Sequence, residues 1–323
     1  MAELGVTVAG VRFRNPVLLA SGILDETGAS MRRVWELGAG GVVTKSVGLE
    51  PRAGHPNPTV VEVGCGLLNA MGLPNPGFEE YRREVEEAVS AGAPVVLSIF
   101  GSSPEEFARL AEMAAGLGVV ALELNMSCPH ASGYGLEVGS DPAMVEEVVR
   151  AVRGVSGLPV FVKLSPHLSD LRPFVSAVES AGGDGFVAIN TLRGMAIDVE
   201  TGFPVLGNRV GGYSGPGIKP VGVRFVYELR RLSHLPVVGV GGVLTGRDAL
   251  EYMMAGASLV QVGTAVYYRG PGAPGMVAEE MGELLDRLGY GGVGEVVGLA
   301  HRRGGEGAGG VLSDAGESGG GGV

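Results

Sequence analysis

The sequence predicts an α/β protein whose fold is a (β/α)8 TIM barrel. Short apolar segments rich in Val, Ile and Leu recur along the chain, as expected of parallel strands that are buried on both faces. Segments with helical periodicity separate them, which gives eight strands alternating with eight helices. A doubly wound open sheet is the alternative fold, and the lack of a G-x-G-x-x-G motif after the first strand disfavours it.

The predicted elements follow in order from the N-terminus. Alternating residues on either side of Gly10 predict a short β-hairpin within residues 1–16, ahead of the barrel. The predicted barrel strands are Val17–Ser21, Gly41–Ser46, Val95–Phe100, Ala121–Ser127, Val160–Ser165, Phe186–Thr191, Val237–Gly242 and Leu259–Thr264. The predicted helices are Thr27–Leu37, Pro76–Ser90, Pro104–Gly116, Pro142–Arg153, Leu168–Ala181, Val221–Leu232, Arg247–Ala255 and Ala273–Leu288.

Three connections after predicted strands are too long to be simple turns. They are Val47–Asn75, Cys128–Ser140 and Leu192–Gly215. Long connections in a compact domain usually form binding walls or lids, so we expect them to border the functional site. Residues 304–323 are rich in glycine and cannot bury a core, which predicts a disordered tail after a barrel domain of residues 1–303.

Composition excludes several classes of function. A net charge of −11 and a pI near 5.0, with no block of basic residues, argue against nucleic-acid binding. No apolar segment is long enough to span a membrane and no signal peptide is evident, so we expect a cytoplasmic protein. The two cysteines are too few for a disulfide framework, a zinc site or an iron–sulfur cluster.

A barrel enzyme carries its reacting groups where strands end, so the ends of the predicted strands supply the candidate residues. Glycine-rich ends of the last two strands predict a phosphate site at the backbone amides of Gly241, Gly242, Gly263 and Thr264, although the same glycines could serve only as tight turns. The chain has only three lysines among its 24 basic residues, and two of them, Lys45 and Lys163, end strands. They could stabilise negative charge or could be solvated rim residues.

Cys128 is the candidate acid or base, because a thiol titrates near neutral pH when its surroundings tune it. A buried structural cysteine is the alternative interpretation. His130 follows in the same polar segment and is a candidate ligand contact, or else a polar side chain packed under a loop.

The strand ends together resemble the catalytic subunits of dihydroorotate dehydrogenases, barrel enzymes of pyrimidine synthesis that use flavin mononucleotide (FMN). The matching segments cover about Asn15 to Tyr267. They are NPVLLASG, TKSV, NAMGLPNPG, NMSCP, VKLSP, INT, GGYSGPGIKP, VGVGGV and AGASLVQVGTA. No one segment is decisive, and their order and spacing together carry the resemblance.

The resemblance implies roles for particular residues. Cys128 would remove the substrate C5 proton while the flavin accepts the C6 hydride, and Lys163 would stabilise the reduced flavin. The flavin contacts would come from Ala20, Ser21, Gly22, Lys45, Ser46, Ser98, Asn125, Lys163, Ile189, Ser214, Gly215, Gly241, Gly242, Gly263 and Thr264. The substrate contacts would come from Lys45, Asn69, Met71, Gly72, Leu73, Asn125, His130, Asn190 and Thr191.

The resemblance also implies partners. A cysteine base and the lack of an N-terminal membrane-associating helix point to the soluble types, which either work alone with fumarate or pass electrons to NAD. The barrel motifs are closest to the NAD-linked type. That type pairs with an electron-transfer subunit carrying FAD and a [2Fe–2S] cluster, and we also expect a homodimer.

Two other functions stay open at this stage. His130 stands where the family usually has Asn and is shared with dihydropyrimidine dehydrogenase barrels, which reduce uracil or thymine. The segment Asn69–Leu73 disfavours that alternative, because it matches a carboxylate-binding loop and uracil has no carboxylate. A flavin- or phosphate-binding barrel without catalysis is the second alternative. Cys128 disfavours it, because such a barrel would not need a thiol at the ring.

Overall fold

The structure is a computed structural model, and it describes residues 1–126 and 139–303. The strands are β1 (Val6–Val8), β2 (Val11–Phe13), β3 (Val17–Leu19), β4 (Gly41–Val43), β5 (Val60–Val63), β6 (Gly66–Asn69), β7 (Val95–Ile99), β8 (Ala121–Asn125), β9 (Val160–Lys163), β10 (Gly185–Ala188), β11 (Leu192–Gly194), β12 (Gly211–Ser214), β13 (Val237–Val240) and β14 (Leu259–Val262). The helices are α1 (Gly28–Glu36), α2 (Phe78–Ser90), α3 (Pro104–Met113), α4 (Pro142–Val155), α5 (Arg172–Ser180), α6 (Lys219–Leu232), α7 (Gly246–Ala255), α8 (Ala265–Arg269), α9 (Ala273–Leu288), α10 (Val293–Val296) and α11 (Leu299–Arg303).

Eight of the strands form a closed parallel barrel, which confirms the predicted fold. Their order around the barrel is β3, β4, β7, β8, β9, β10, β13 and β14, and β14 pairs with β3 to close it. Every residue of β7 is buried, as a strand covered on both faces requires. The barrel strands end one to three residues earlier than predicted, because the polar residues after them turn away from the sheet to form its rim.

Amphipathic helices cover the outside of the barrel. Helix α3 begins as predicted, with Pro104 in its first turn and the Ser103 side chain accepting a hydrogen bond from the backbone of Glu106. Its buried face includes Phe107 and Leu110, which belong to the core cluster between helices and strands. The short helices α8, α10 and α11 were not predicted, since four or five residues carry too little periodicity.

The N-terminal hairpin closes one end of the barrel. Strands β1 and β2 pair antiparallel as predicted. Val8 and Phe13 pack in one buried cluster with residues from the early part of the barrel strands, such as Leu18, Phe161 and Leu259. The hairpin is therefore an apolar plug at the end opposite to the strand termini where polar residues gather.

A second sheet stands over the other end. Its strands are β11, β12, β6 and β5, in that order, all antiparallel. They come from the connections Val47–Asn75 and Leu192–Gly215, which the sequence predicted only as long loops bordering the site. Strands of three or four residues are too short for a clear period-two signal, so this sheet is a finding of the structure.

The structure also bears on the predictions for membrane-spanning helices, the third long connection and the glycine-rich tail. Helices long and apolar enough to cross a membrane are absent from residues 1–126 and 139–303. Most of the third long connection, Cys128–Ser140, lies outside the described residues, and so does the predicted tail of residues 304–323. The domain division at residue 303 therefore stays a prediction.

Candidate active site

A cavity of about 290 Å³ opens where the barrel strands end, between the rim and the second sheet. Its volume is close to the roughly 300 Å³ at which ligand pockets begin. The cavity brings together the predicted residues Ala20, Ser21, Gly22, Lys45, Ser46, Asn69, Met71, Gly72, Leu73, Asn125, Lys163, Ile189, Asn190, Thr191, Ser214, Gly215, Gly241, Gly242, Gly263 and Thr264.

Of the predicted site residues that the structure describes, Ser98 alone is not among the cavity-lining residues. Ser98 is fully buried behind Ser46, and their hydroxyl oxygens lie 2.8 Å apart. Ser98 therefore supports a lining residue from behind. Cys128 and His130 lie outside the described residues.

The structure adds apolar walls that the sequence reading missed. These lining residues are Ile23, Val60, Leu67, Pro74, Ile218, Val240 and Val243. Several come from the second sheet or adjoin glycines of the rim, so only the topology brings them to the cavity. They give the site flat apolar surfaces beside its polar groups, as expected for an aromatic ligand.

The glycine-rich ends of β13 and β14 form an open cradle on one side of the cavity. Gly241 and Gly242 have φ angles of +121° and +71°, which favour glycine. At Gly263 a side chain would meet nothing closer than 3.5 Å, since the nearest atom is Cβ of Ala20. The room at Gly263 lets a ligand reach the backbone there, so the cradle fits a phosphate group.

A hydrogen-bonded row of polar side chains crosses the floor of the cavity. Asn125 donates a hydrogen bond from Nδ2 to Ser46 Oγ at 2.9 Å. Asn190 in turn donates from Nδ2 to Asn125 Oδ1 at 3.4 Å. These contacts orient amide groups at the strand ends, where they can recognise the polar edge of a planar ligand.

Lys163 reaches the same floor from β9, and it is paired below the cavity. Its Nζ lies 3.1 Å from Oε1 of Glu123, a fully buried residue on β8. The Oε2 atom of Glu123 accepts a hydrogen bond from Gln261 Nε2 at 2.8 Å. The sequence reading missed Glu123 and Gln261, although a charged residue inside the apolar strand ALELN is a signal that could have found the first of them.

Lys45 stands at the end of β4 beside a second buried acid. Its backbone N–H donates to the hydroxyl of Tyr81 at 3.2 Å, and that hydroxyl donates to the backbone carbonyl of Asp25. The Asp25 carboxyl accepts a hydrogen bond from the backbone of Gly22. Burial raises the pKa of Asp25 to about 6, and the charge of Lys45 partly opposes that rise.

The segment Met71–Leu73 forms part of the cavity wall. Gly72 and Leu73 both have positive φ, of +76° and +56°. The backbone carbonyl of Met71 accepts a hydrogen bond from the backbone of His55 at 3.0 Å, and Asn69 donates from Nδ2 to the carbonyl of Gly212 at 3.2 Å. The first bond ties the segment to its own connection, Val47–Asn75, and the second ties that connection to Leu192–Gly215.

Taken together, the described part of the cavity offers cations, amide donors and backbone amides to an anionic planar ligand. It contains no cluster of three His, Cys, Asp or Glu residues that could hold a metal ion, as judged over residues 1–126 and 139–303. His167 does not line the cavity, and its Nε2 accepts a hydrogen bond from the backbone of Arg193 at 3.1 Å.

Comparisons with known proteins agree with this geometry. The sequence model of the dihydroorotate dehydrogenase family matches residues 3–285. The chain is 51% identical over 300 residues to a Pyrococcus furiosus protein named dihydroorotate dehydrogenase B (NAD(+)), catalytic subunit, a match covering 93% of this chain and 99% of that protein. Proteins of the same name from Methanocella arvoryzae and Thermoplasma acidophilum are 50% and 47% identical, covering 93% and 94% of this chain and 98% and 100% of those proteins.

Proposed function

The chain belongs to the dihydroorotate dehydrogenase family, and we propose that it oxidises (S)-dihydroorotate to orotate in pyrimidine biosynthesis, as an NAD-linked catalytic subunit. The observation that carries the proposal is the meeting of Lys45, Asn69 and the segment Met71–Leu73 at one cavity with a glycine cradle. A cation and amide donors suit the carboxylate of dihydroorotate, and the cradle suits the phosphate of a flavin.

FMN is the cofactor that the site fits. Gly241, Gly242, Gly263 and Thr264 would hold its phosphate, and Ala20–Gly22, Ser46 and Gly215 would border the rest. When bound, the flavin supplies hydride acceptance, which no side chain of this chain can perform. Lys163 lies on the cavity floor, where an ammonium stabilises negative charge that develops on the cofactor.

The substrate contacts divide into two groups. Lys45, Asn69 and the backbone of Met71–Leu73 hold the carboxylate, while Asn125, Asn190 and Thr191 bond the ring amides. Cys128 and His130 lie outside the described residues, and their roles as general base and ring contact rest on the sequence resemblance. The thiolate of Cys128 removes the proton from C5 of the substrate.

The relatives' names describe catalytic subunits of an NAD-linked enzyme, which supports a separate electron-transfer partner for this chain. We propose that the partner carries FAD and a [2Fe–2S] cluster and that the catalytic chain forms a homodimer. A cytoplasmic location is part of the same proposal.

Anaerobic reduction of the purified, FMN-loaded protein tests the function. Dihydroorotate is expected to bleach the flavin absorbance, while dihydrouracil, which lacks the carboxylate, is expected to leave it unchanged. Bleaching by dihydrouracil and not by dihydroorotate would favour the dihydropyrimidine dehydrogenase reaction. A flavin that neither compound reduces would favour a binding barrel without catalysis.

Substitution of Cys128 separates binding from proton removal. Cys128→Ala is expected to retain FMN and to slow reduction by dihydroorotate by about 10²- to 10⁴-fold near neutral pH, which is the usual contribution of a general base. Stopped-flow absorbance measures the rate. An unchanged rate would mean that the thiol is not the base.

A further inference from the structure

Glu123 is a buried acid that the reaction described above does not use. Its side chain has no exposed surface, and Lys163 beside it is 7% exposed. Three side chains surround the carboxylate: Lys163 Nζ at 3.1 Å, Gln261 Nε2 at 2.8 Å and Ser98 Oγ at 3.5 Å. All three can donate hydrogen bonds, as an ionised carboxylate requires.

Lys163 depends on Glu123 for its counter-charge. Glu123 is the one carboxylate that forms an ion pair with Lys163 within residues 1–126 and 139–303. An ammonium taken out of water without a counter-charge is costly, and a buried amine then gives up its proton. Lys163 also lines the cavity, so its protonation state acts directly on whatever is bound there.

The orientation of Gln261 agrees with a charged acid below the cavity. Gln261 is 2% exposed and directs its amide nitrogen to Glu123. Its own Oε1 has no hydrogen-bond partner among the described residues. The amide thus gives its donor to an acceptor, at the cost of leaving its oxygen unpaired.

We propose that Glu123 is a positioning residue that keeps Lys163 charged and aimed at the cofactor before the flavin is reduced. The proposal rests on the proposed function for the identity of the cofactor. With the ammonium already in place, two-electron reduction of the bound flavin takes up one proton from solvent and leaves the reduced ring anionic. Without Glu123, two electrons bring two protons, one to the flavin and one to Nζ of Lys163.

The three lysines of this chain make the proton on Lys163 directly observable. Protein labelled with ¹³C and ¹⁵N only in lysine gives three side-chain signals, which single substitutions assign. In the wild-type protein as purified, the Lys163 signal is expected at the ammonium position across the neutral pH range, because Glu123 supplies its counter-charge. A wild-type signal at the amine position overturns the proposal without any variant.

Glu123→Gln keeps the shape of the side chain and removes its charge. In this variant the Lys163 signal is expected to move to the amine position within the same pH range, while the signals of Lys45 and Lys219 stay in place. Glu251→Gln is the matched control. It removes a carboxylate 2.7 Å from Nζ of Lys219, which is 25% exposed and keeps Asp248 as a second partner, so the Lys219 signal stays at the ammonium position.

The flavin potential gives the second readout. In Glu123→Gln the slope of the midpoint potential against pH is expected to steepen by one proton per two electrons. The change should vanish when Lys163→Gln is the background, because the two residues act as a unit. An unchanged slope, or an equal change in both backgrounds, overturns the proposal. The lysine signals do not require turnover, so failure of dihydroorotate to bleach the flavin would refute the proposed function without deciding the role of Glu123.

Discussion

The hydroxyl of Tyr252 donates a hydrogen bond to the backbone carbonyl of Gly241, 2.7 Å away. Tyr252 lies on α7 and is fully buried, so it braces the glycine cradle from beneath the rim. Burial raises the pKa of Tyr252, which keeps the hydroxyl a donor throughout the working pH range. The cradle is therefore supported by a side chain outside the glycine-rich segments from which it was predicted.

Tyr252→Phe removes this hydrogen bond together with the longer contact of the same hydroxyl with the carbonyl of Val240, 3.2 Å away. We expect FMN to bind about fivefold more weakly, which corresponds to the ~1 kcal/mol of a typical hydrogen bond. Fluorescence titration of flavin-free protein measures the affinity. Tyr227→Phe is the control, since Tyr227 stacks on the ring of His301 and does not contact the cradle. Equal affinities for both variants would contradict a bracing role.

Gly242→Ala tests the close packing of the cradle. The added Cβ would lie 2.7 Å from the carbonyl oxygen of Gly215, so the backbone must shift. We expect loss of FMN from the purified protein. Gly289→Ala is the control. Gly289 has a φ of +80°, similar to the +71° of Gly242, but a Cβ added at Gly289 would meet nothing within 4 Å. The control variant should lose a similar amount of stability from strain while retaining FMN, and flavin content per chain distinguishes the two.

The raised pKa of Asp25 predicts that the free energy of unfolding depends on pH. Its pKa is about 6 in the folded protein and 3.8 ordinarily, so the folded state holds the proton more tightly than the unfolded chain. Protonation of Asp25 therefore stabilises the folded protein. This stabilisation is fully present below about pH 4 and is lost as the pH rises through 6, and the whole loss is about 3 kcal/mol. Asp25→Asn removes the dependence.

We therefore expect the free energy of unfolding of Asp25→Asn, relative to wild type, to rise by about 2 kcal/mol between pH 4 and pH 7. Urea unfolding at several pH values measures the difference. Asp170→Asn is a control of opposite sign, because hydrogen bonding to Arg172 lowers the pKa of Asp170. A constant difference for Asp25→Asn across this range would refute the assignment.

Phe13→Ala tests the plug at the far end of the barrel. Phe13 is 3% exposed within the cluster that joins hairpin and barrel, so truncation leaves a cavity. We expect a loss of about 3 to 5 kcal/mol in the free energy of unfolding. Phe203→Ala removes the same atoms from a side chain that is 72% exposed and should change stability little. Urea unfolding of both variants provides the comparison.

The sequence predicted the barrel, the hairpin and most of the cavity, because strand periodicity and strand order place the strand ends on one rim. It did not predict the second sheet, whose short strands pair across more than a hundred residues, as Asn69 and Gly212 do. Glu123 was missed for another reason. It lies on β8 two residues before Asn125, which pairs with Lys163 on the neighbouring strand β9, and this register between strands cannot be read from the sequence.

The apolar plug has a consequence for how the chain is made. Val8 and Phe13 leave the ribosome before the barrel strands, yet the surface that covers them includes Leu259 from the last barrel strand. Contacts so distant along the chain form late in folding. The nascent hairpin must therefore keep its apolar face unburied until the last barrel strand has been made, which leaves residues 6–13 open to unwanted apolar contacts during synthesis.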